Sequence, residues 1–266
     1  MDATLTFLGT GTSMGVPTLG CTCAVCTSRD PHDSRLRPSA ALRWQDANGA
    51  HTVVIDTGPD FRTQAINAGI RALDAVFYTH AHADHIMGLD DLRPLSFLAY
   101  KEHGPIPLYA AESTQKILRR IYDYTFSPDS TYPNRARVEL KPLEGGATVA
   151  GVGFTRVPVQ HGHQVISGLR FGRAAYLTDV SNIPESSFAL LEGVETLVLS
   201  ALRHKPHATH ASIEQAVAWA QRIGARHTWF THIAHDLGHE ETNRGLPEGI
   251  RLAHDGLTVP VQLGID

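Results

Sequence analysis

The chain has 266 residues, 42% of them hydrophobic and 19% charged, with a formal net charge of −4. Those proportions are ordinary for a globular protein and leave room for a sizeable core. The slight acidity and the lack of any Lys/Arg block disfavour a large nucleic acid gripped through its phosphates, and none is expected; no run approaches the ~18 apolar residues of a membrane span.

The N-terminal stretch MDATLTFLGTGTSMGVP lacks the charged and apolar regions of a signal peptide, so a cytoplasmic location is expected. Its first part, residues 3–10, alternates as a strand and runs into a Gly/Thr/Ser loop. Three cysteines follow at Cys21, Cys23 and Cys26. An odd number, too tightly packed for a disulfide framework, points to a reducing compartment and to thiolate ligation. A closed tetrahedral site needs a fourth ligand, and His32 and His235 are the candidates. Residues 51–58, HTVVIDTG, form a β-branched strand closed by a turn. FRTQAINAGI reads as a helix with Gly69 as its C-cap. DAVFYTH, residues 74–80, is a further strand ending on His80.

A strand at 105–110 and a helix at 111–126 lead into SPDSTYPNRAR, residues 127–137, a loop expected to form a lid or pocket wall. Strands follow at 153–161, 174–179 and 196–202. In residues 212–226, Ser212 and Gln215 make a capping-box signature, and Ile213, Ala216, Val217, Ala220 and Ile223 form one apolar stripe. Strands at 227–232 and 256–264 close the pattern. Strands interleaved with helices predict an α/β fold with helix-covered sheets. No composition break divides the chain, so one domain over residues 1–266 is expected.

The densest chemistry is HAHADH at residues 80–85. His80 and His82 alternate at a strand end and share a side; the chain must then turn to bring Asp84 and His85 to the next helix. Imidazole mixed with carboxylate suits Zn, Mn or Fe rather than Ca. Four ligands at this spacing are too many for one ion, so a metal pair is expected.

On this His-x-His-x-Asp-His signature the chain resembles the metallo-β-lactamase fold superfamily, whose members are largely binuclear hydrolases. The resemblance implies an αββα sandwich: two mixed sheets packed face to face, with helices outside. It also implies later ligands at strand ends, which His161, Asp179 and His232 match. His80, His82 and His161 would hold one ion, and Asp84, His85 and His232 the other, with Asp179 bridging. His163 rivals His161, and Asp56 falls where the family keeps a structural acid.

The Cys-x-Cys-x-x-Cys loop after GTG, together with THIAH at residues 231–235, narrows the likeness. The pair resembles the phosphodiesterase family of the bacterial carbon–phosphorus lyase pathway, which hydrolyses 5-phosphoribosyl 1,2-cyclic phosphate. The resemblance implies a structural zinc on Cys21, Cys23, Cys26 and His235, and two divalent ions (Mn or Zn, with Fe also suited) at the active site. It implies attack by a metal-bound hydroxide on a small phosphate ester, with Asp84 and Asp179 at the reacting centre, in a homodimer. His210 would contact the phosphate and serve as general acid, with His204 and His207 as rivals; Arg93, Arg203 and Lys205 are candidates for a second phosphate. Alternatives on the same ligands are a tRNA 3′-processing-type nuclease, a thioester or lactone hydrolase, and a non-hydrolytic cofactor-biosynthesis relative.

Overall fold

The structure is a computed structural model describing residues 1–264. It has two seven-stranded sheets packed face to face. The first is built from β1 (Asp2–Gly9), β2 (Ser39–Asp46), β3 (Gly49–Ile55), β4 (Ala75–Tyr78), β5 (Ile106–Ala110) and β6 (Val138–Pro142). The second holds β7 (Gly146–Val149), β8 (Val152–His161), β9 (Gln164–Phe171), β10 (Ala174–Leu177), β11 (Thr196–Ser200), β12 (His227–Thr231) and β13 (Ile250–Leu252). The last strand, β14 (Thr258–Gln262), returns to pair with β1 at the edge of the first sheet.

Each sheet is antiparallel on one side and parallel on the other. Strands β3, β4, β5 and β6 run parallel in the first sheet, as do β10, β11, β12 and β13 in the second. Strand β9 is antiparallel to both β8 and β10, so β8 runs with β10. The carboxyl ends of β8, β10, β11 and β12 therefore emerge at one edge of their sheet, which is where open α/β sheets place ligands.

Between the sheets lies a core in which Phe77 stacks on Phe154 of the opposite sheet, ring centres 4.6 Å apart, and on Tyr109 at 4.9 Å. Truncating such a ring costs about 3–5 kcal/mol. Two more apolar clusters line the outer faces. Helices α1 (Phe61–Asn67), α2 (Ala83–Ile86), α3 (Arg93–His103), α4 (Glu112–Ile121) and α5 (Asp123–Phe126) lie with the first sheet, whose outer cluster includes Phe61, Ile86, Leu118 and Tyr122. Helices α6 (Glu185–Ala189) and α7 (Ile213–Ile223) cover the second through Ile213, Ala216 and Ala220; α8 (His239–Gly245) follows β12. This is the αββα sandwich.

Local signals explain most boundaries. Ser212 caps α7 by accepting from the Gln215 backbone, and Gly224 closes it in the left-handed region. The single helix expected over 111–126 is broken at Tyr122, where the buried ring turns inward and its hydroxyl donates to the Ile86 carbonyl at 2.9 Å. The segment 127–137 does wall a pocket, with Ser127, Pro128 and Arg135 against Tyr100 and Arg119, but that pocket holds none of the HAHADH residues. No helix among the described residues is long and apolar enough to cross a membrane.

Candidate metal centre

Strand β4 ends at Tyr78 and the chain turns through residues 79–82 into the single turn α2. That corner is tightly nested. Thr57 N–H donates to His85 O and Gly88 N–H to Thr57 O, both at 2.8 Å. Gly58 permits the approach, since a Cβ there would sit 2.0 Å from the Asp84 carbonyl oxygen. Asp84 and His85 thus point back toward the sheet ends rather than outward, and both are buried.

The remaining donors arrive from the second sheet. His161 is the last residue of β8, Asp179 lies two residues beyond β10, and His232 follows β12 directly. Asp179 and His232 take positive φ, 56° and 57°, as does Asp56 at 61° after β3. Non-glycine residues hold this conformation only where their surroundings impose it. The left-handed kink turns each side chain away from the strand direction and into the space between the sheet ends.

Two ligand groups result. His80, His82, His161 and Asp179 form one, Asp84, His85, His232 and Asp179 the other, with ligand atoms within 4.8 Å of one another in each. Asp179 is common to both. Its Oδ2 lies 3.8 Å from His80 Nε2, 3.9 Å from His161 Nε2 and 3.3 Å from His232 Nε2. Its Oδ1 lies 3.3 Å from His85 Nε2. His163, the rival of His161, is in neither group; it is exposed at the β8–β9 turn.

The hydrogen-bond pattern sets the tautomers. His161 Nδ1 donates to the Thr209 carbonyl at 2.7 Å, which leaves the lone pair on Nε2. His85 Nδ1 donates to Asp56 Oδ2 at 2.7 Å, and Asp56 also accepts from the Thr79 N–H and hydroxyl. Carboxylate or carbonyl partners of this kind hold a ligating imidazole in orientation. Meanwhile His80 Nε2, His85 Nε2, His232 Nε2 and Asp84 Oδ2 are buried without any hydrogen-bond partner. Orphaned polar atoms converging in a buried space are costly unless something satisfies them, and these donors fit divalent cations of the Zn, Mn or Fe kind.

The electrostatics agree with that fit. Burial opposes ionisation of Asp179, yet His232, His85 and His80 hold it well below the usual carboxylate range. Burial likewise opposes the charge on Asp84, and His85 and His232 overcome it. In the protein alone, burial resists protonation of His85, while Asp179, Asp56 and Asp84 draw it well above its ordinary value. Two ionised carboxylates in one buried site call for positive charge.

His210 stands beside this centre. Its ring stacks on His232 at 4.7 Å and meets His161 at the same centroid distance, with Nδ1 4.0 Å from Asp179 Oδ2. Burial and then His232 push its imidazole down to about 3, so it is neutral, and Nδ1 has no partner. A cleft of about 410 Å³ adjoins, lined by His82, His161, His163, Gln164, Ala208 and Thr209. His207 is exposed 5.2 Å from His210, and His204 is engaged by Glu214 at 2.8 Å. Of the basic candidates, Arg93 is bound to Asp90 and Tyr132. Arg203 bends back to the Lys205 carbonyl. No cation is aimed into the cleft by any of these contacts.

The cysteine loop closes on the other side of His232. Sγ of Cys21, Cys23 and Cys26 lie 3.2, 3.4 and 3.4 Å from His235 Nδ1. Tetrahedral zinc with ordinary Zn–S and Zn–N bonds gives S···N edges of about 3.5 Å, so the set has the right size for it. The Cys26 backbone N–H is the main cause that brings the Cys23 thiol down to about 6. His32 takes no part in this set.

The beta-lactamase superfamily domain profile matches residues 51–233. A crystal structure of a new diphosphatase from the PhnP family is 52% identical and covers 99% of this chain and 98% of that one, with a TM-score of 0.91. An octanoyltransferase of Porphyromonas gingivalis is 36% identical over 94% of this chain, which spans about half (50%) of that protein's length. A ribonuclease Z of Mycobacterium bovis is 25% identical, over 78% of this chain and 83% of its own length.

Proposed function

Since this chain belongs to the beta-lactamase superfamily, as a metal-dependent hydrolase, we propose that it cleaves a small cyclic phosphate diester, with 5-phosphoribosyl 1,2-cyclic phosphate first among the candidates. The observation that carries this reading is the unpartnered Nδ1 of His210, 4.0 Å from the carboxylate shared by two buried ligand groups, with a small cleft lined by His82 and His161 beside them. We assign His80, His82 and His161 to one ion, Asp84, His85 and His232 to the other, Asp179 to both, and Cys21, Cys23, Cys26 and His235 to a structural zinc.

Two divalent ions held by these residues would supply Lewis acidity, acidifying water and offsetting charge on a phosphoryl group. The chain's own groups do the rest. Asp179, ionised and braced by the Thr178 hydroxyl at 2.7 Å, accepts a hydrogen bond from the attacking water and aims it. His210 donates an N–H to a phosphoryl oxygen next to Asp179. An anionic phosphate arriving there also favours the imidazolium, which makes His210 a proton source for the departing ring oxygen. The cleft suits a single sugar phosphate rather than a polymer.

The PhnP-family relative is a diphosphatase, which favours one second reading, cleavage of a phosphoanhydride by the same attack. Phosphorus NMR of the Mn-loaded protein separates the two. The substrates are 5-phosphoribosyl 1,2-cyclic phosphate, a 2′,3′-cyclic nucleotide, an aryl diester and a nucleoside diphosphate sugar. Ring opening of the first at the highest rate is the expected result. Fastest loss of the diphosphate establishes the second reading, and no phosphorus chemistry in any arm overturns both.

A further inference from the structure

Outside the centre and the cysteine loop, a third cluster of ligating side chains gathers where the N-terminal segment meets α8. His32 lies in the short 3-10 turn Pro31–Asp33, while His239 and Glu240 open α8. One ligand atom from each of the three falls within 4.8 Å of the others. A buried frame sets this meeting. Asp33 Oδ1 accepts from the His239 backbone N–H at 2.8 Å and from Arg35 Nη2 at 3.1 Å. Arg35, only 1% exposed, also donates to the carbonyls of Ala234 and Leu237. Its charge is thereby matched by Asp33 instead of facing the cluster unpaired.

The ligand character rests on His239. It is 6% exposed, and its Nδ1 is buried with no hydrogen-bond partner. A buried imidazole nitrogen left without a partner is uncommon. Burial, then the neighbouring His32 and His254, keep this ring neutral, down to about 4. The ring of His254 packs over His32 at 4.2 Å, and its Nδ1 donates to the Asp255 carbonyl. A simple polar turn gives no reason for three imidazoles from three distant segments to crowd beside an orphaned nitrogen.

We propose that His32, His239 and Glu240 form a further metal site, for a late first-row divalent ion such as zinc or nickel, distinct from the paired centre and from the cysteine site. Two imidazoles and a carboxylate are the donor set those ions take. Tetrahedral ligation wants N/O edges of about 3.4 Å. Glu240 is exposed and His32 has a side chain 40% exposed, so both can close that distance. An ion there ties residues 30–35 to α8, next to the place where His235 meets the cysteine loop. With three protein donors the coordination keeps an open position, so the site binds and releases rather than locks.

The test uses the full chain with its tightly held metals retained, titrated with nickel chloride. Calorimetry gives the uptake, and elemental analysis confirms that zinc and manganese contents do not change. The unsubstituted protein is expected to take up one more nickel per chain than His32→Gln. Glu240→Gln should bind it more than about tenfold more weakly. Hydrolysis by both variants stays within twofold of the parent. Equal uptake by His32→Gln and the parent overturns the proposal, and so does uptake needing millimolar nickel. Loss of a tightly held zinc in His32→Gln also overturns it, because the cluster would then only support the cysteine site. His239→Ala is informative only if it folds, which is why the less buried His32 and Glu240 carry the test.

Discussion

Replacing Asp56 by Asn changes one atom in a fully buried carboxylate, and the structure says what that atom does. Asp56 accepts three hydrogen bonds, from Thr79 N at 2.8 Å and from Thr79 Oγ1 and His85 Nδ1 at 2.7 Å each. An amide accepts on one side only. If its NH2 faces His85, Nδ1 must give up its proton, and the proton moves to Nε2, the atom that faces Asp84 and Asp179 at 3.3 Å. His85 then cannot ligate. If the NH2 faces Thr79 instead, a buried backbone N–H is orphaned at a cost of about 1–3 kcal/mol. Loss of such an orienting partner typically lowers metal affinity or activity 10–100-fold, about 1.4–2.7 kcal/mol. Competition with a metal-sensitive dye measures the affinity, and single-turnover hydrolysis the activity. The expected result is a drop in both, with the zinc held by the cysteine set unchanged. An Asp56→Asn protein with metal affinity within twofold of the parent would refute the tautomer argument.

Three other outcomes are expected. Asp179→Asn and His82→Ala should each lower hydrolysis by at least about a hundredfold with metal in excess; retained turnover would remove both from the centre. Cys23→Ser should lose one zinc per chain by elemental analysis and melt at lower temperature, and a full zinc complement would break the cysteine assignment. His51 offers a pH test far from the metals. Burial opposes its charge, but Asp74 at 2.8 Å and Asp46 at 3.1 Å raise its pKa above the ordinary value of 6.5. Its contribution is therefore present in full below pH 6.5 and is lost as pH rises through the raised folded value. The difference in Tm between parent and His51→Gln should be largest near pH 6 and shrink toward pH 9; a gap that stays constant sinks the reading.

Much of the fold could be read because punctuation and chemistry coincide in this chain. The runs leading to His80, His161, Asp179 and His232 announce themselves as apolar stretches that stop at or just before a residue able to ligate a metal. Strand β2, SAALRWQD, and β9, QVISGLRF, were not anticipated, since neither keeps a clean alternation. Both owe their place to pairing with neighbours on two sides. The break at Tyr122 was hidden because a helix-compatible stretch yields there to one buried hydroxyl bond. The choice between His161 and His163 depends on where the β8–β9 turn falls. The His32–His239 cluster was invisible for a different reason: its members lie far apart in the chain, and only the Asp33–Arg35 frame brings them together.

The three left-handed residues at the ligand cluster carry the least legible feature and the most consequential one. Asp and His tolerate positive φ better than most residues, but that tolerance does not single out Asp56, Asp179 and His232, and each such residue costs of order 1–3 kcal/mol. What holds them is visible on either side. The Asp56 N–H donates to Phe77 O, the Val180 N–H to Ser200 Oγ and the Ile233 N–H to Thr10 O, each at 2.8 Å. These bonds fix the peptide at or after each kink, and two of them cross to a neighbouring strand of the same sheet. Backbone hydrogen bonds from the sheets therefore hold the kinks, so the placing of these side chains rests on the fold. Gathering carboxylates and orphaned imidazole nitrogens in a buried space is costly until cations offset it, so replacing a ligand at this centre should weaken metal binding while relieving part of that cost in the metal-free protein.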